Sequence, residues 1–350
     1  MKKQDLKSLT RKELIKWFDL NGFQKFRAKQ VFNWIYKNGA ESFKDMKNLP
    51  NNLIRELDDK AYLTNLIVRD ARASEDGTIK YLWNLSDCET LESVYLPFTD
   101  GRHSVCISSQ VGCAMDCKFC ATGNSGLVRS LTTGEIVDQV LKIQKDISNK
   151  EFGKPRISNI VFMGMGEPLD NFDAVLRAVE IFNDNKGLDI GMRRMTISTS
   201  GLVPAIRRLA DLDMQIVLAV SLNAPNNILR DQLMPINKKY PLIELLGAVH
   251  YYIEKTNRRI TFEYVLIGDI NDTKELAYEL ADLLKGILCH VNLIPLNPVE
   301  SFNFKHPSLT AINNFRNILE NNGIETTIRQ ERGTNIDAAC GQLRHLNKKG

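Results

Sequence analysis

The sequence has no long hydrophobic run and no pattern of paired cysteines. Its best apolar stretch covers only residues 216–220, whereas a membrane-spanning helix needs about 18 or more apolar residues. The start, Met1-Lys-Lys-Gln-Asp-Leu-Lys, is charged and lacks the apolar segment of a signal peptide. The seven cysteines are an odd number, which favours reduced thiols over a disulfide framework. We therefore expect a cytoplasmic protein that is neither secreted, membrane-spanning nor fibrous.

Excess positive charge is confined to the beginning of the chain. The 350 residues have a formal net charge of +4, but residues 1–50 hold twelve Lys or Arg against five Asp or Glu, a net charge of +7. Such a segment is typical of a polyanion-binding surface and equally of a solvated helix face. The candidates for phosphate contact lie between aromatic residues and are Lys25, Arg27 and Lys29. The helical spacing of Phe26, Val31, Trp34 and Ile35 predicts that these four form a core stripe.

The pattern of the sequence divides the chain into four segments. Residues 1–60 predict short helices, with a capping box in Thr10-Arg-Lys-Glu13, and residues 61–98 predict a β extension with strands at 64–68, 79–83 and 92–96. Residues 99–335 alternate strands and helices, and residues 336–350 form a short tail. Six β–α repeats predict parallel strands in an α/β fold, either barrel-like or doubly wound. The predicted strands of the third segment are 104–109, 157–163, 194–199, 215–221, 260–267, 290–295 and 325–329.

Three cysteines lie close together after the first of these strands, in Cys113-Ala-Met-Asp-Cys117-Lys-Phe-Cys120. Three thiolates at this spacing can ligate an iron–sulfur cluster and leave one iron open. Structural zinc takes four ligands, usually as two spaced pairs, and the sequence has no second pair. Four more polar or glycine-rich motifs follow predicted strands: Gly164-Met-Gly-Glu-Pro168, Ser198-Thr-Ser-Gly201, Ser221-Leu-Asn223 and Pro295-Leu-Asn-Pro298. Because parallel strands end at one face of a barrel, we expect a reactive site there.

The spacing Cys-x-x-x-Cys-x-aromatic-Cys, with Phe119 before the last cysteine, resembles the radical S-adenosylmethionine (SAM) superfamily. This resemblance implies a partial (β/α) barrel with a 4Fe–4S cluster on Cys113, Cys117 and Cys120, and SAM on the open iron as the source of a deoxyadenosyl radical. It also implies a SAM site at Gly166, Glu167, Ser198, Ser221, Leu222, Asn223 and Asn297. Glycine permits close backbone approach, and the carboxylate, hydroxyl and amide groups can bind the ammonium and hydroxyl groups of SAM.

Longer motifs resemble a narrower family, the adenine carbon-2 methyltransferases of ribosomal and transfer RNA. The matching segments are 104–113, 193–201, 233–237 and 337–343, and the resemblance extends from about residue 9 to residue 344. It implies methylation of an adenosine in the peptidyl transferase centre of 23S rRNA and of the adenosine 3′ of the tRNA anticodon. Asn223 departs from the histidine that is usual at its position, although both side chains can form hydrogen bonds.

The same resemblance implies three catalytic residues. Carbon 2 of adenine has no lone pair, so its methylation needs a radical route. Cys340 takes a methyl group from one SAM, and a radical from a second SAM removes a hydrogen from it. The methylene radical adds to carbon 2, Glu92 accepts a proton, and Cys106 resolves the adduct in a transient disulfide with Cys340. Without the resemblance, Cys106 is interpreted as a core thiol and Glu92 as an outward charge on an edge strand.

Two other functions stay open at this level. A related family methylates carbon 8 of the same ribosomal adenosine and confers antibiotic resistance, but Glu167-Pro168, Ile294-Pro295 and Arg332-Gly333 favour carbon 2. The other alternative is an iron–sulfur RNA-binding protein without turnover. The favoured function implies 23S rRNA and tRNA as partners, a reduced flavodoxin-type electron donor and two SAM molecules per turnover. We expect a monomer that does not contact membranes.

Overall fold

The computed structural model describes residues 3–150, 155–297, 304–330, 332–338 and 341–343. Its first segment is helical, as predicted, with α1 (Arg11–Leu20), α2 (Lys25–Tyr36) and α3 (Asn51–Lys60). The predicted capping box is present, because the Glu13 amide donates to Thr10 Oγ1 and the Thr10 amide donates to Glu13 Oε2. A short parallel pair, β1 (Gln4–Asp5) with β2 (Ala61–Tyr62), is not among the predicted strands.

One ten-stranded mixed sheet carries the rest of the fold. Three antiparallel strands, β3 (Ile67–Ala73), β4 (Ile79–Asn84) and β5 (Thr90–Pro97), lead to β6 (His103–Cys106). A separate antiparallel pair follows, β7 (Gln110–Gly112) with β8 (Leu127–Ser130). Six strands parallel to β6 complete the sheet: β9 (Asn159–Phe162), β10 (Met195–Thr199), β11 (Val217–Ser221), β12 (Ile260–Leu266), β13 (Cys289–Pro295) and β14 (Thr326–Ile328). The six predicted β–α repeats are therefore confirmed.

Helices connect successive parallel strands and cover the outer face of the sheet. They are α5 (Thr133–Lys150), α6 (Phe172–Asn183), α7 (Val203–Ala210), α9 (Leu242–Thr256), α10 (Lys274–Leu284) and α11 (Leu309–Asn321), with the shorter α4 (Ala121–Asn124) and α8 (Asn227–Leu233) in loops. Their apolar faces share one continuous core with the N-terminal helices. In the described part of the chain, no helix is long and apolar enough to cross a membrane.

The curvature of the sheet makes it a partial barrel. Val94 on β5 and Thr327 on β14, near opposite ends of the strand order, line the same cavity. In the sheet as described, β3 and β14 are the two edges and do not pair with each other. The predicted fold class, a partial (β/α) barrel with a helical N-terminal region and a β extension, is confirmed, and the extension continues the same sheet.

Two predicted strands have different bounds in the structure. The strand predicted at 64–68 begins only at Ile67, because the Thr64 and Leu66 amides donate instead to the carboxylates of Asp5 and Asp138. The strand predicted at 104–109 ends at Cys106. These bounds depend on contacts with distant parts of the chain, which local patterning does not report.

Candidate active site

The carboxyl ends of the parallel strands surround an open cavity of about 160 Å³. The five motifs predicted to meet at this face each contribute to its lining, for example through Cys113, Gly166, Ser198, Ser221 and Asn297. We call this space the upper cavity.

The three cysteines lie on a loop whose ends are held together by the β7–β8 pair. The Cys113 amide donates to the Gly126 carbonyl at 2.9 Å, and Cys113, Cys117 and Cys120 all line the upper cavity. Within the described ranges, no three His, Cys, Asp or Glu side chains converge as the ligands of one metal ion do. Thiolates of an iron–sulfur cluster bind different irons and need not converge, so the donor set fits a cluster better than a single ion.

Burial makes the thiols of Cys113 and Cys117 hard to ionise without a compensating cation. Desolvation raises the pKa of Cys113 to about 12, and it raises the pKa of Cys117 well above the usual value. The Arg230 guanidinium opposes the rise at Cys117. A metal bound by these thiols supplies the missing positive charge, because coordination deprotonates a thiol.

The loop after β9 places Gly166 and Glu167 beside the cysteine loop. Gly166 has a φ of 97°, and a Cβ there would lie 2.5 Å from Gln110 Cβ, so the position requires glycine. Gln110 Oε1 in turn accepts from the Glu167 amide at 2.9 Å. The Glu167 carboxylate is buried and accepts from the Ser200 amide at 2.7 Å and from its hydroxyl at 2.8 Å. Burial raises the pKa of Glu167, and the hydrogen bonds from Ser200 oppose that rise.

Sequence reasoning missed two residues that build this cavity, Ser200 and Arg230. Arg230 is fully buried on α8, and its guanidinium donates to the carbonyl oxygens of Ser200 (2.8 Å), Ser221 (3.1 Å) and Leu222 (3.0 Å). It thereby ties the loop after β10 to the end of β11, and burial lowers the pKa of Arg230 to about 10. Ser200 stands inside a motif that the sequence analysis singled out, whereas Arg230 lies just before one.

Two of the three residues in the motif after β11 line the upper cavity. They are Ser221 and Asn223, and Ser198 on β10 lines it as well. Asn223 has a φ of 59°, a left-handed conformation that asparagine tolerates, and its Oδ1 accepts from the Val265 amide at 2.8 Å. Leu222, between Ser221 and Asn223, has its side chain fully buried in the main core and does not line the cavity, so its place in the SAM site stays a prediction.

Asn297 carries the clearest sign of a missing ligand group. Its side chain is buried, and among the described residues no donor reaches its Oδ1. An unsatisfied buried acceptor costs about 1–3 kcal/mol. A ligand hydroxyl or amino group in the upper cavity would satisfy this atom, so the residue fits SAM.

A second cavity of about 590 Å³ lies inside the barrel and adjoins the first. We call it the lower cavity. Cys106 is buried and lines it together with Val94, its register partner on β5. The wall shared by the two cavities consists of Met163, Glu263, Ile294, Pro295, Asn297 and Arg329.

Glu92 is buried on β5, which lies between β4 and β6 and is not an edge strand. The interpretation of Glu92 as an outward edge charge is therefore wrong. Lys80 Nζ lies 3.3 Å from Glu92 Oε1 and also donates to the Asp337 carbonyl at 3.1 Å. The carboxylate is thus linked through Lys80 to the C-terminal tail.

The tail contacts both cavities, but Cys340 lies outside the described residues. Ala338 lines the lower cavity and Gly341 lines the upper one. The Gly341 carbonyl accepts from the Ala121 amide at 2.8 Å, directly after the last cysteine of the loop. The described ends of the tail therefore join the barrel interior to the cysteine loop.

The basic helix α2 presents its charges to solvent, with Lys25 and Lys29 exposed. Its buried stripe runs through Ala28, Val31, Phe32, Ile35 and Tyr36. The predicted core position of Phe26 is wrong, because that residue falls outside this stripe and is 49% exposed. The Arg27 guanidinium instead lies over the Phe26 ring, 4.6 Å from its centroid.

Two family models match different parts of the chain. Residues 107–281 match the Radical SAM superfamily, and residues 4–63 match the ribosomal RNA large subunit methyltransferase N-terminal domain. A solved radical SAM methyltransferase from Sphaerobacter thermophilus is 46% identical, with a TM-score of 0.93 over 97% of this chain and 99% of that chain.

Full-length relatives carry the name probable dual-specificity RNA methyltransferase RlmN. The protein of Alkaliphilus oremlandii (strain OhILAs) is 52% identical over 345 residues, which are 98% of each chain. The protein of Geobacillus kaustophilus (strain HTA426) is 48% identical over 342 residues, which are 98% of this chain and 93% of the other. The chain therefore belongs to the radical SAM methyltransferase family RlmN, whose members use a 4Fe–4S cluster and SAM.

Proposed function

We propose that this enzyme methylates carbon 2 of adenosine in RNA, at an adenosine in the peptidyl transferase centre of 23S rRNA and at the adenosine 3′ of the tRNA anticodon. The names of its relatives specify RNA as what they methylate. The observation that carries the proposal is the pair of adjoining cavities, with tail residues in the wall of each.

The tail supports a methyl-carrying role for Cys340. Ala338 and Gly341, which flank residues 339–340, line the lower and the upper cavity. The lower cavity holds Cys106, the proposed resolving thiol.

When bound, the cluster and SAM would supply the methyl group and the deoxyadenosyl radical, and the cluster would take up the one electron that the adduct must lose. Cys340 Sγ accepts the methyl group, and the methylene carbon derived from it forms the bond to carbon 2 of the base. The Glu92 carboxylate accepts the proton that leaves carbon 2. Cys106 Sγ then attacks Cys340 Sγ, which forms a disulfide and breaks the bond between sulfur and the methylene carbon. The methylene carbon takes up a proton as this bond breaks and becomes the methyl group of the base. The methylated base leaves, and an external two-electron reductant restores the two thiols.

The surroundings of Glu92 support its role as a proton acceptor. Glu92 and Val94 lie on the same face of β5, and Val94 lines the lower cavity. The ammonium group of Lys80 lies 3.3 Å from Glu92 Oε1 and pairs with the carboxylate. A buried carboxylate held in this way can take a proton from a base that enters the barrel.

We further propose that the enzyme acts as a monomer, uses two SAM molecules per turnover and receives electrons from a reduced flavodoxin-type donor. The basic helix α2 supplies phosphate contacts, and the target base leaves its stack to enter the barrel. Charge reversal at Lys25, Arg27 and Lys29 should weaken tRNA binding and reduce its salt dependence. The matched control reverses the charge of three exposed lysines elsewhere. They are Lys255 near the end of α9, Lys274 at the start of α10 and Lys285 directly after α10. Equal affinity of the two triple variants would contradict the RNA-binding role of α2.

The test of the proposed function is an anaerobic reaction with methyl-labelled SAM, a reductant, a 23S rRNA fragment and tRNA. Digested nucleosides are then separated and identified by mass spectrometry. Label in 2-methyladenosine is the expected result, and the RNA that carries it identifies the target. Label in 8-methyladenosine would assign the enzyme to the antibiotic-resistance chemistry instead. Unlabelled RNA with no deoxyadenosine formed would favour an RNA-binding protein without turnover.

A further inference from the structure

The wall between the two cavities holds a buried carboxylate that no step above uses. Glu263 lies in the middle of β12, is 6% exposed and lines both cavities. On the same face of that strand, Thr261 lines only the lower cavity and Val265 only the upper one. The upper and lower cavities therefore meet at Glu263.

One oxygen of this carboxylate is fixed by the protein. Asn292, its register partner on β13, donates through Nδ2 to Glu263 Oε2 at 2.8 Å. Asn292 Oδ1 accepts from the Thr327 hydroxyl at 3.1 Å, which orients the amide with its nitrogen toward Glu263. In the described part of the chain, no donor binds Glu263 Oε1. A buried carboxylate oxygen that borders a cavity is an acceptor for a ligand donor.

The position of Glu263 favours the RNA base over SAM as the source of that donor. Most of the proposed SAM positions line the upper cavity alone, for example Ser198, Ser221 and Asn223. Asn292, which holds Glu263, lines the lower cavity alone. A base that enters the lower cavity beside Cys106 must approach the proposed SAM site in the upper cavity, and Glu263 lies where the two cavities adjoin.

The chemistry of adenine matches this wall. Carbon 2 lies between two ring nitrogens that accept hydrogen bonds, N1 and N3, and the exocyclic amino group, a donor, is on carbon 6, on the other side of N1. A carboxylate oxygen can accept from the amino group, whereas the Arg329 guanidinium, which lines both cavities, can donate to a ring nitrogen. Hypoxanthine and guanine carry an oxygen in place of the amino group, and a carboxylate repels that oxygen.

We propose that Glu263 Oε1 accepts a hydrogen bond from the exocyclic amino group of the target adenine and makes the enzyme selective for adenine. This assignment rests on the proposed function, because it takes an adenine base as the substrate. It adds a specificity-determining residue to the catalytic residues already assigned.

The test compares two tRNA anticodon stem-loops, one with adenosine at the target position and one with purine riboside, which lacks the amino group. The unaltered holoenzyme should have a kcat/KM about ten- to a hundredfold higher for the adenosine stem-loop. The purine riboside stem-loop has no amino group to donate a hydrogen bond to the charged carboxylate. Glu263→Gln should bring that ratio close to one. The orientation of Asn292 turns the glutamine oxygen toward Asn292 and its NH₂ group toward the base, where it opposes the adenine amino group.

Matched controls separate the possible outcomes. Glu244→Gln, which removes an exposed carboxylate from α9, should keep the adenosine preference. If Glu263→Gln lowers kcat/KM for both stem-loops by the same factor, or raises the Kd of SAM, Glu263 is a structural or cofactor residue and the assignment is overturned. If the unaltered enzyme has the same kcat/KM for both stem-loops, the assignment of Glu263 is overturned without any variant. If the adenosine stem-loop is not methylated at all, it is the proposed function that fails.

Discussion

The ion pair between Lys7 and Asp138 attaches the basic N-terminal helices to the barrel, so its removal should destabilise the whole enzyme. Lys7 Nζ lies 2.5 Å from Asp138 Oδ1, and the side chains are only 2% and 0% exposed. Asp138 Oδ2 also accepts from the Leu66 amide at 2.7 Å. Removing one partner of a buried pair costs about 3–5 kcal/mol, because the other charge stays buried and unpaired. We expect this loss in the free energy of unfolding for Lys7→Met.

The double variant Lys7→Met with Asp138→Leu should regain most of that loss, since it removes both buried charges. Denaturant unfolding of the holoenzyme measures each variant, and Lys305→Met, which breaks an exposed pair with Asp269, is the control and should change stability little. A loss below about 1 kcal/mol for Lys7→Met would refute the reasoning.

The pH dependence of the same variant gives an independent check. Burial raises the pKa of Asp138 above its usual 3.8, and Lys7 opposes the rise. Without Lys7 the folded-state pKa should rise further. The proton then binds the folded state more tightly, so the loss of stability in Lys7→Met is present above the folded pKa and shrinks as the pH falls toward 3.8. A loss that stays constant between neutral and mildly acidic buffer would contradict this.

Three further substitutions test how the site is built. Gly166→Ala should abolish SAM binding, measured by equilibrium binding, because its Cβ would collide with Gln110; an unchanged Kd would show that the loop adapts. Arg230→Lys keeps the charge but loses hydrogen bonds that tie the loop after β10 to the end of β11, and we expect a Kd for SAM about tenfold higher; unchanged affinity would contradict that role. Lys80→Met should slow the release of methylated RNA, because it leaves the buried Glu92 carboxylate without the ammonium group that lies 3.3 Å away. Lys80→Arg should restore the release rate, and normal release by Lys80→Met would exclude this positioning role.

Local patterns were sufficient to predict the repeat structure and the reactive face. The capping box of Thr10 and Glu13 depends on residues three apart, and the order of strands and helices depends on short-range hydropathy. Once parallel strands were predicted, the motifs after them had to meet at one face. The lining of the upper cavity agrees with that prediction.

Features that depend on contacts between distant segments could not be predicted in this way. Arg230 lies on a short helix that exposes Ile228 by 77% and buries the arginine, the reverse of a normal hydropathic pattern. The reason is the set of carbonyl oxygens around its guanidinium, which belong to other loops. Phe26 is the reverse case, an apolar residue that was predicted to be buried and is exposed. The buried residues of α2 begin at Ala28, two positions after it. The sequence pattern did not single out Glu263, because a charged residue within a predicted strand indicates neither a cavity nor a hydrogen-bond partner.

The covalent bond between Cys340 and RNA is the most direct test of the proposed chemistry. Each variant is reduced anaerobically with SAM and a tRNA stem-loop, and the products are resolved on a denaturing gel and identified by mass spectrometry. Cys106→Ala should accumulate a protein–RNA adduct because the resolving thiol is absent, while Cys340→Ala should form none. Cys289→Ala, a change of a half-buried thiol outside the linings of both cavities, is the control and should turn over normally. Equal, undetectable adduct in Cys106→Ala and Cys340→Ala would contradict the roles assigned to the two cysteines.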